Sequence, residues 1–359
     1  MKRNHNNFLR VAFNIAKINL GKTKLNPSVG CIVVKNNSVI SSGITSVNGR
    51  PHAEFNALKS KKNFNNSIIY TTMEPCTHYG LTPPCVNLIV KKKIKKVYFS
   101  FYDKDKRTAK KSKTKLVKNN IKVYKKKIDK FSNFYQGYFL NKKEELPLVD
   151  AKIAVSKDYC TIDKKNKWIT NISSRDRAHL IRSEYDAVIS TSKSINRDNS
   201  MLNCRLNGFD NNKPDLIIID RNLSIKKNLK VFKTKKNKRK IYIVTTVKDK
   251  KKYNYFKKKK IIVIYTKSLT NKEDFMELFK KLKKNNLGRI LVESGLIFLN
   301  HLLMNGIISN LYLFHSRLKL KTRGKNNTSN KIIKKLKLSN KIKVNLNGDN
   351  LYKVKVNNV

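Results

Sequence analysis

The sequence predicts an α/β protein built as two domains in tandem. Three observations carry that expectation. The chain has 359 residues, more than one hydrophobic core ordinarily serves. Helix-period and strand-like segments alternate along both halves. A charged, proline-containing stretch, NKKEELPLVD at 141–150, lies between the two alternating regions and reads as a linker. The domains are accordingly placed at 1–145 and 147–359.

In the first half, basic and apolar residues at helical spacing predict an amphipathic helix near 4–20. That stretch lacks the small-residue cleavage site of a secretory signal. Two strands follow, SVGCIVVK (28–35) and SVISSG (38–43), joined by the turn-forming pair Asn36 and Asn37. A helix is expected to open at HAEFNALKS (52–60), then a strand SIIYTTM (67–73), a helix over 84–92 and a strand KKVYFSFY (95–102). The second half begins with the strand-like LVDAKIAVS and repeats apolar, β-branched runs: DAVIS, PDLIIID, KIYIVTT, KIIVIYT, GRILVES and NLYLFHSRL. Such continuous runs imply strands buried on both sheet faces. Helical patterns stand at 271–285 and 296–306, and the lysine tracts 233–240 and 248–260 are read as solvated loops or helix faces.

The formal charge is +58, which invites a polyanion-binding reading. Distribution argues against one. The lysines (KKKIKK, KTKKNKRK, KKKK) run through both halves between strand-like segments and do not gather into one basic arm, a pattern that fits drift toward AT-rich codons. No specific nucleic-acid partner is expected. No apolar run reaches the roughly 18 residues that span a bilayer, so no membrane association is expected. Five cysteines form an odd set without a framework, which points to a reducing compartment, the cytoplasm.

The chemistry is concentrated in two short motifs. A working zinc site needs three protein ligands and one open position. PHAE places His52 and Glu54 at an expected helix start, and MEPCTHYGLTPPC (73–85) places Cys76 at a strand end and Cys85 at a helix start, where the helix terminus favours a thiolate. One His and two Cys as ligands, with a non-ligating Glu that shuttles protons, is the arrangement of the zinc deaminases. A structural zinc more often has four ligands and no use for Glu54. Here eight residues separate the cysteines, where nucleic-acid and nucleoside deaminases have two.

With NPSVGCIVVK (26–35), GRPHAE (49–54) and EPCTHYGLTPPC (74–85), the chain resembles the bifunctional deaminase–reductase family of riboflavin biosynthesis over nearly its whole length. The resemblance implies a cytidine-deaminase-like α/β/α domain followed by a dihydrofolate-reductase-like α/β domain. It implies Zn2+ and NADPH as cofactors, a phosphoribosyl pyrimidine as substrate, and self-association through the second domain. In the first domain Asn26, His78 and Asp103 would contact substrate. In the second, the motifs AVSKD, KWIT, HLIR, STSKSINRDNSMLNCR and VESG carry the likeness. There Ala154, Trp168, Ser194, Asp198 and Gly295 would line the cofactor site, and Arg182, Arg205 and Glu293 would hold the substrate. Arginine is the preferred phosphate fork, and strand–Gly–helix at ILVESG-LIFLNHLLM is a phosphate-receiving geometry.

Several positions depart from the family pattern. Thr45 stands where many members have histidine, and Leu81 where a basic residue is common. Tyr159 replaces a glycine, DNS replaces Asp-Asn-Pro, and in HSRLKLKTRG only Arg317, Leu318 and Gly324 match the usual segment. Two alternatives therefore stand beside the main reading: a deaminase with a degenerate reductase domain, and a zinc deaminase acting on nucleic acid.

Overall fold

The computed structural model describes residues 4–209, 214–233, 239–338 and 340–356. They divide into two compact units, Met1–Glu145 and Leu146–Val359. The expected linker at 141–150 is shorter than its composition implies. A helix occupies Gln136–Lys143 and a strand starts at Leu148, because Asn141 is buried and caps Gly137 O through its Nδ2 (2.7 Å).

The first unit is a five-stranded sheet of β1 (Gly30–Lys35), β2 (Ser38–Ile44), β3 (Ile68–Met73), β4 (Lys96–Phe101) and β5 (Lys122–Lys125), in the order β2-β1-β3-β4-β5. β1 runs antiparallel to β2 and β3, and β3, β4 and β5 are parallel. The hairpin turns on Asn36 and Asn37, both at positive φ (49° and 63°), a conformation that asparagine tolerates. The first helix, His5–Ala16, is capped by Asn4 and sets Leu9, Ala12, Phe13 and Ala16 into the core. The helices Ala53–Leu58 and Cys85–Lys91 pack against each other. Every residue of β3 is buried, and it ends where the second motif begins. The sequence reading left out β5. It is an edge strand with lysines at both ends and shows little apolar pattern.

The second unit holds an eight-stranded sheet. Its members are β6 (Leu148–Val155), β8 (Ala187–Thr191), β9 (Asp215–Ile219), β10 (Ile241–Thr245), β11 (Ile262–Tyr265), β12 (Arg289–Val292), β13 (Asn310–His315) and β15 (Asn350–Lys355); β7 (Ile162–Asp163) and β14 (Gly324–Lys325) pair separately. The order is β11-β10-β9-β8-β12-β6-β13-β15, parallel throughout except for β15. Each of the seven apolar runs forms one strand of this sheet, whose eighth strand β15 was not expected, nor was the separate pair β7 and β14. The helix Lys272–Lys284 starts at a capping box between Asn271 and Asp274. Of the two lysine tracts, 248–260 contains the helix Lys250–Lys258; in 233–240, residues 234–238 lie outside the described residues.

The departures at the C-terminal edge are accommodated. Tyr159 keeps the left-handed backbone (φ 63°) that a glycine would adopt freely, and its ring packs 5.1 Å from the His315 ring. Its carbonyl accepts from Asn326 Nδ2 (3.0 Å) and Asn330 Nδ2 (2.9 Å). In the DNS stretch Asn199 is also left-handed (φ 46°) and closes the helix Ser192–Asp198. The altered segment after β13 is held by the Asp158 carboxylate, which accepts the Leu320 and Lys321 N–H groups (3.0 and 2.8 Å).

Candidate functional site

In the first unit, local structure brings the two motifs together. His52 is the N-terminal cap residue of the helix Ala53–Leu58 and has extended backbone, while Glu54 lies in the first turn and is buried. Cys76 follows the end of β3, and Cys85 is the first residue of its helix. The Cys85 N–H donates to Cys76 Sγ (3.2 Å), and both sulfurs lie 3.5 Å from His52 Nδ1. The three ligand atoms fall within 4.8 Å of one another, and no other such metal-binding cluster occurs among the described residues. One imidazole nitrogen and two thiols around one point fit a zinc ion with a position left over.

The electrostatics agree with that donor set. Cys76 is pushed down to about 4 by its hydrogen bonds to Cys85 and His52, against the opposing effect of burial. Cys85 is pushed up by its hydrogen bond to Cys76 and by burial. Burial raises Glu54 to about 7, which suits a group that exchanges protons near neutrality.

The predicted substrate residues are held by partners outside the cluster. Asn26 Nδ2 donates to Gly49 O (3.2 Å), and His78 Nδ1 lies 2.9 Å from Thr108 Oγ1. Asp103 is buried and accepts from Tyr138 Oη (2.6 Å) and the Asp105 N–H (2.9 Å). The sequence reading gave no role to Glu74. Its buried carboxylate accepts from the backbone N–H groups of Asp103, Lys110 and Ser112 (3.2, 3.0 and 3.0 Å) and from Ser112 Oγ (2.8 Å). It thereby ties the loops bearing Asp103 and Thr108 to the Cys76 segment. Its place directly before Pro75 and Cys76 was the available signal.

In the second unit, Lys152 and Ala154 break an otherwise buried strand β6 and lie on one face, two residues apart. On that face Arg182 forms a two-pronged pair with Glu293: Nε to Oε1 at 2.5 Å and Nη2 to Oε2 at 2.9 Å. Lys152 Nζ approaches Glu293 Oε2 at 3.7 Å. Arg205 has a different environment. It is exposed, its Nη1 donates to Asn203 Oδ1 (2.8 Å), and its Nη2 lies 3.4 Å from His179 Nε2. Burial, then the Arg182 and Arg205 charges, lower His179 to about 4, so it is neutral at pH 7. The two arginines expected at the substrate site thus stand in different environments. Arg182 is filled by Glu293, and Arg205 keeps donors for a ligand.

Beyond the C-terminal ends of β8, β9 and β12 lies a cavity of about 550 Å³, lined by Lys193, Ser194, Arg197, Arg221, Gly295 and Phe298 among others. Two helices, Ser192–Asp198 and Leu296–Met304, begin at its wall. Thr191 Oγ1 accepts the Ser194 N–H (3.2 Å), whereas no side chain caps the second helix at Gly295. A Cβ on Gly295 would meet only Ser194 Oγ, at 3.8 Å, and would otherwise project into open space. Helix termini, three basic residues and an unfilled glycine cradle fit a polyphosphate cofactor at the strand ends of a parallel sheet. Of the predicted cofactor residues, Ser194 and Gly295 line this cavity. Asp198 borders it through its pair with Arg197 (2.7 Å). Ala154 and Trp168 lie outside the lining, and Trp168 is 54% exposed with Arg175 stacked 5.0 Å from its ring.

Comparison with known proteins completes the picture. Residues 2–101 match the cytidine and deoxycytidylate deaminase zinc-binding region, and residues 147–318 match the RibD C-terminal domain. The riboflavin biosynthesis protein RibD of Actinobacillus pleuropneumoniae is 30% identical over 314 residues, covering 86% of this chain and 82% of that protein. The RibD protein of Buchnera aphidicola subsp. Baizongia pistaciae is 31% identical over 324 residues, covering 86% and 85%. Among solved structures, Acinetobacter baumannii RibD shares the fold with a TM-score of 0.83 at 24% identity, covering 98% of this chain and 99% of that one. The Thermotoga maritima diaminohydroxyphosphoribosylaminopyrimidine deaminase/5-amino-6-(5-phosphoribosylamino)uracil reductase has a TM-score of 0.82 at 24% identity over the same shares. The chain thus belongs to the RibD family, the bifunctional riboflavin-biosynthesis enzymes that join a zinc-dependent deaminase to an NADPH-dependent reductase.

Proposed function

We propose that the unit 1–145 deaminates a diaminohydroxyphosphoribosylaminopyrimidine and that the unit 147–359 then reduces the ribosyl group of the product to ribityl. The observation that carries the first assignment is the convergence of His52 Nδ1, Cys76 Sγ and Cys85 Sγ on one point, with Glu54 buried beside them. Zinc held by these three residues supplies a water acidified to a pKa around 7. Glu54 accepts a proton during attack on the amino-bearing ring carbon and returns it to the ring nitrogen and the departing ammonia. Asn26, His78 and Asp103 orient the heterocycle through amide, imidazole and carboxylate.

In the reductase half, the glycine cradle at Gly295 and the two helix starts would receive the NADPH phosphates, with Ser194 and the Arg197–Asp198 pair at the wall. Ala154 and Trp168, outside the cavity lining, are assigned to the cofactor by the family resemblance. Glu293, fixed by Arg182, faces the reacting sugar, and Arg205 takes the substrate phosphate. The altered segment is held by Asp158, and Tyr159 adopts a left-handed backbone that a glycine would adopt freely, which supports an active reductase over a remnant.

The test is a coupled one. The purified protein, with its zinc content measured, receives the diamino pyrimidine, and ammonia release and then NADPH oxidation are followed. Ammonia without NADPH oxidation, even with the deaminated intermediate supplied, would leave only the deaminase. We further propose cytoplasmic location, in keeping with five free cysteines, and self-association through the reductase unit, which light scattering reads directly. No helix among the described residues is long and apolar enough to cross a membrane. We propose no nucleic-acid substrate, and ammonia release from RNA at a rate comparable with the free pyrimidine would reverse that.

A further inference from the structure

On the reading above, on which this inference rests, the deaminase substrate carries a phosphate on its ribosyl arm, and a dianion at the mouth of the site needs a cation there. Two positions that supply polar or basic groups elsewhere in the family do not do so here. Thr45 is buried, with its Oγ1 accepting the Val29 N–H at 2.9 Å, and Leu81 is apolar and 89% exposed. Two other cations of this unit are engaged. Arg107 is forked onto Asp105 (2.9 and 2.7 Å), and Lys115 Nζ donates to Thr77 O (2.9 Å).

Arg50 is placed differently. It lies two residues before the ligand His52 and reaches across to the loop between the cysteines, where its Nη1 donates to Thr82 Oγ1 at 2.9 Å. A Cβ on Gly80 would sit 3.2 Å from Arg50 Nη2 and 3.9 Å from His78 Cδ2, so the guanidinium and the imidazole meet over a residue that has no side chain. On the other side, Gly49 (φ 89°) lets Asn26 close in, since a Cβ there would lie 2.4 Å from Asn26 Nδ2. Asn26, Arg50 and His78 therefore form one arc beside the zinc ligands. No carboxylate among the described residues pairs with Arg50, and most of its five donors remain available.

We propose that Arg50 is the phosphate-binding, specificity-determining residue of the deaminase site, with its half-buried fork taking the substrate phosphate that Leu81 and Thr45 cannot hold. A planar fork in a partly desolvated rim suits a phosphate better than a flexible lysine does.

Steady-state deamination by the full chain tests this, with the phosphorylated pyrimidine and its dephosphorylated ribosylamino counterpart as paired substrates. Zinc per chain is checked first in every variant. Arg50→Ala raises KM for the phosphorylated substrate by roughly 10- to 100-fold with kcat within about twofold, and leaves the dephosphorylated substrate unchanged. Adding Leu81→Lys to Arg50→Ala restores most of the lost affinity, and the salt dependence of KM seen in the parent is absent from Arg50→Ala. Should Arg50→Ala lose zinc, Arg50→Gln carries the same comparison with the charge removed and most of the reach kept. An equal effect on both substrates, or on neither, overturns the proposal. A parent protein that deaminates neither substrate instead refutes the functional reading itself.

Discussion

Replacing Arg182 by alanine isolates the buried ion pair between the helix Ile172–Ser183 and Glu293 in the second unit. Glu293 is about 8% exposed, and Arg182 meets both of its oxygens. Burial pushes the Glu293 carboxyl up, but the Arg182 charge and hydrogen bonds, with help from Lys152, outweigh it and hold the group at about 2. The fall from 4.5 to about 2 corresponds to about 3 kcal/mol, at 1.36 kcal/mol per pH unit. Removing one partner of a buried pair costs about 3–5 kcal/mol by a separate route, because the remaining charge is stranded. For a unit of this length each kcal/mol moves the melting point by about 2–4 °C, so Arg182→Ala should melt roughly 6–20 °C below the parent at pH 7. The sign with pH is fixed by the depressed carboxyl. Its contribution is complete above about pH 4.5 and is lost as pH falls toward 2, so the gap between parent and variant narrows over that window. Calorimetry reads this, with the reductase transition recognised by its rise on adding NADPH. A shift under about 2 °C at pH 7, or a gap that does not narrow in acid, would refute the reasoning.

Three further predictions follow from single side chains. Glu54→Gln should lower deamination by about 10²- to 10⁴-fold while keeping full zinc content; loss of the metal would make Glu54 a ligand. Cys76→Ser should lose zinc and deamination yet oxidise NADPH normally when given the deaminated intermediate; loss of both activities would contradict two independent sites. Tyr159→Ala should be less stable in urea than Tyr159→Gly by about 1 kcal/mol, because alanine keeps the cost of the left-handed backbone after losing the ring contact. The reverse order would mean that the turn relaxes away from its φ of 63°.

Much of the first site could be read in the chain because its chemistry is local. His52 and Glu54 are two residues apart, and the two cysteines lie on one strand–loop–helix unit. The strands were legible for a similar reason, since burial on both faces of a parallel sheet demands unbroken β-branched runs. Where that demand is absent, as in the lysine-flanked edge strand β5, the pattern is absent too.

By itself, then, the sequence determined the candidate metal-binding residues, the carboxylate beside them, the two α/β units and the order of most of their elements. These depend on residue identity and on periodicities within one element. Only the tertiary structure decided which groups meet across the fold. Arg182 and Glu293 are 111 positions apart and pair because β12 inserts between β6 and β8. Glu74 reaches Ser112 across 38 positions, and Arg50 reaches Thr82 across 32. Such contacts are set by strand order and loop closure, which no local pattern encodes, and they determine which arginines are paired with a carboxylate.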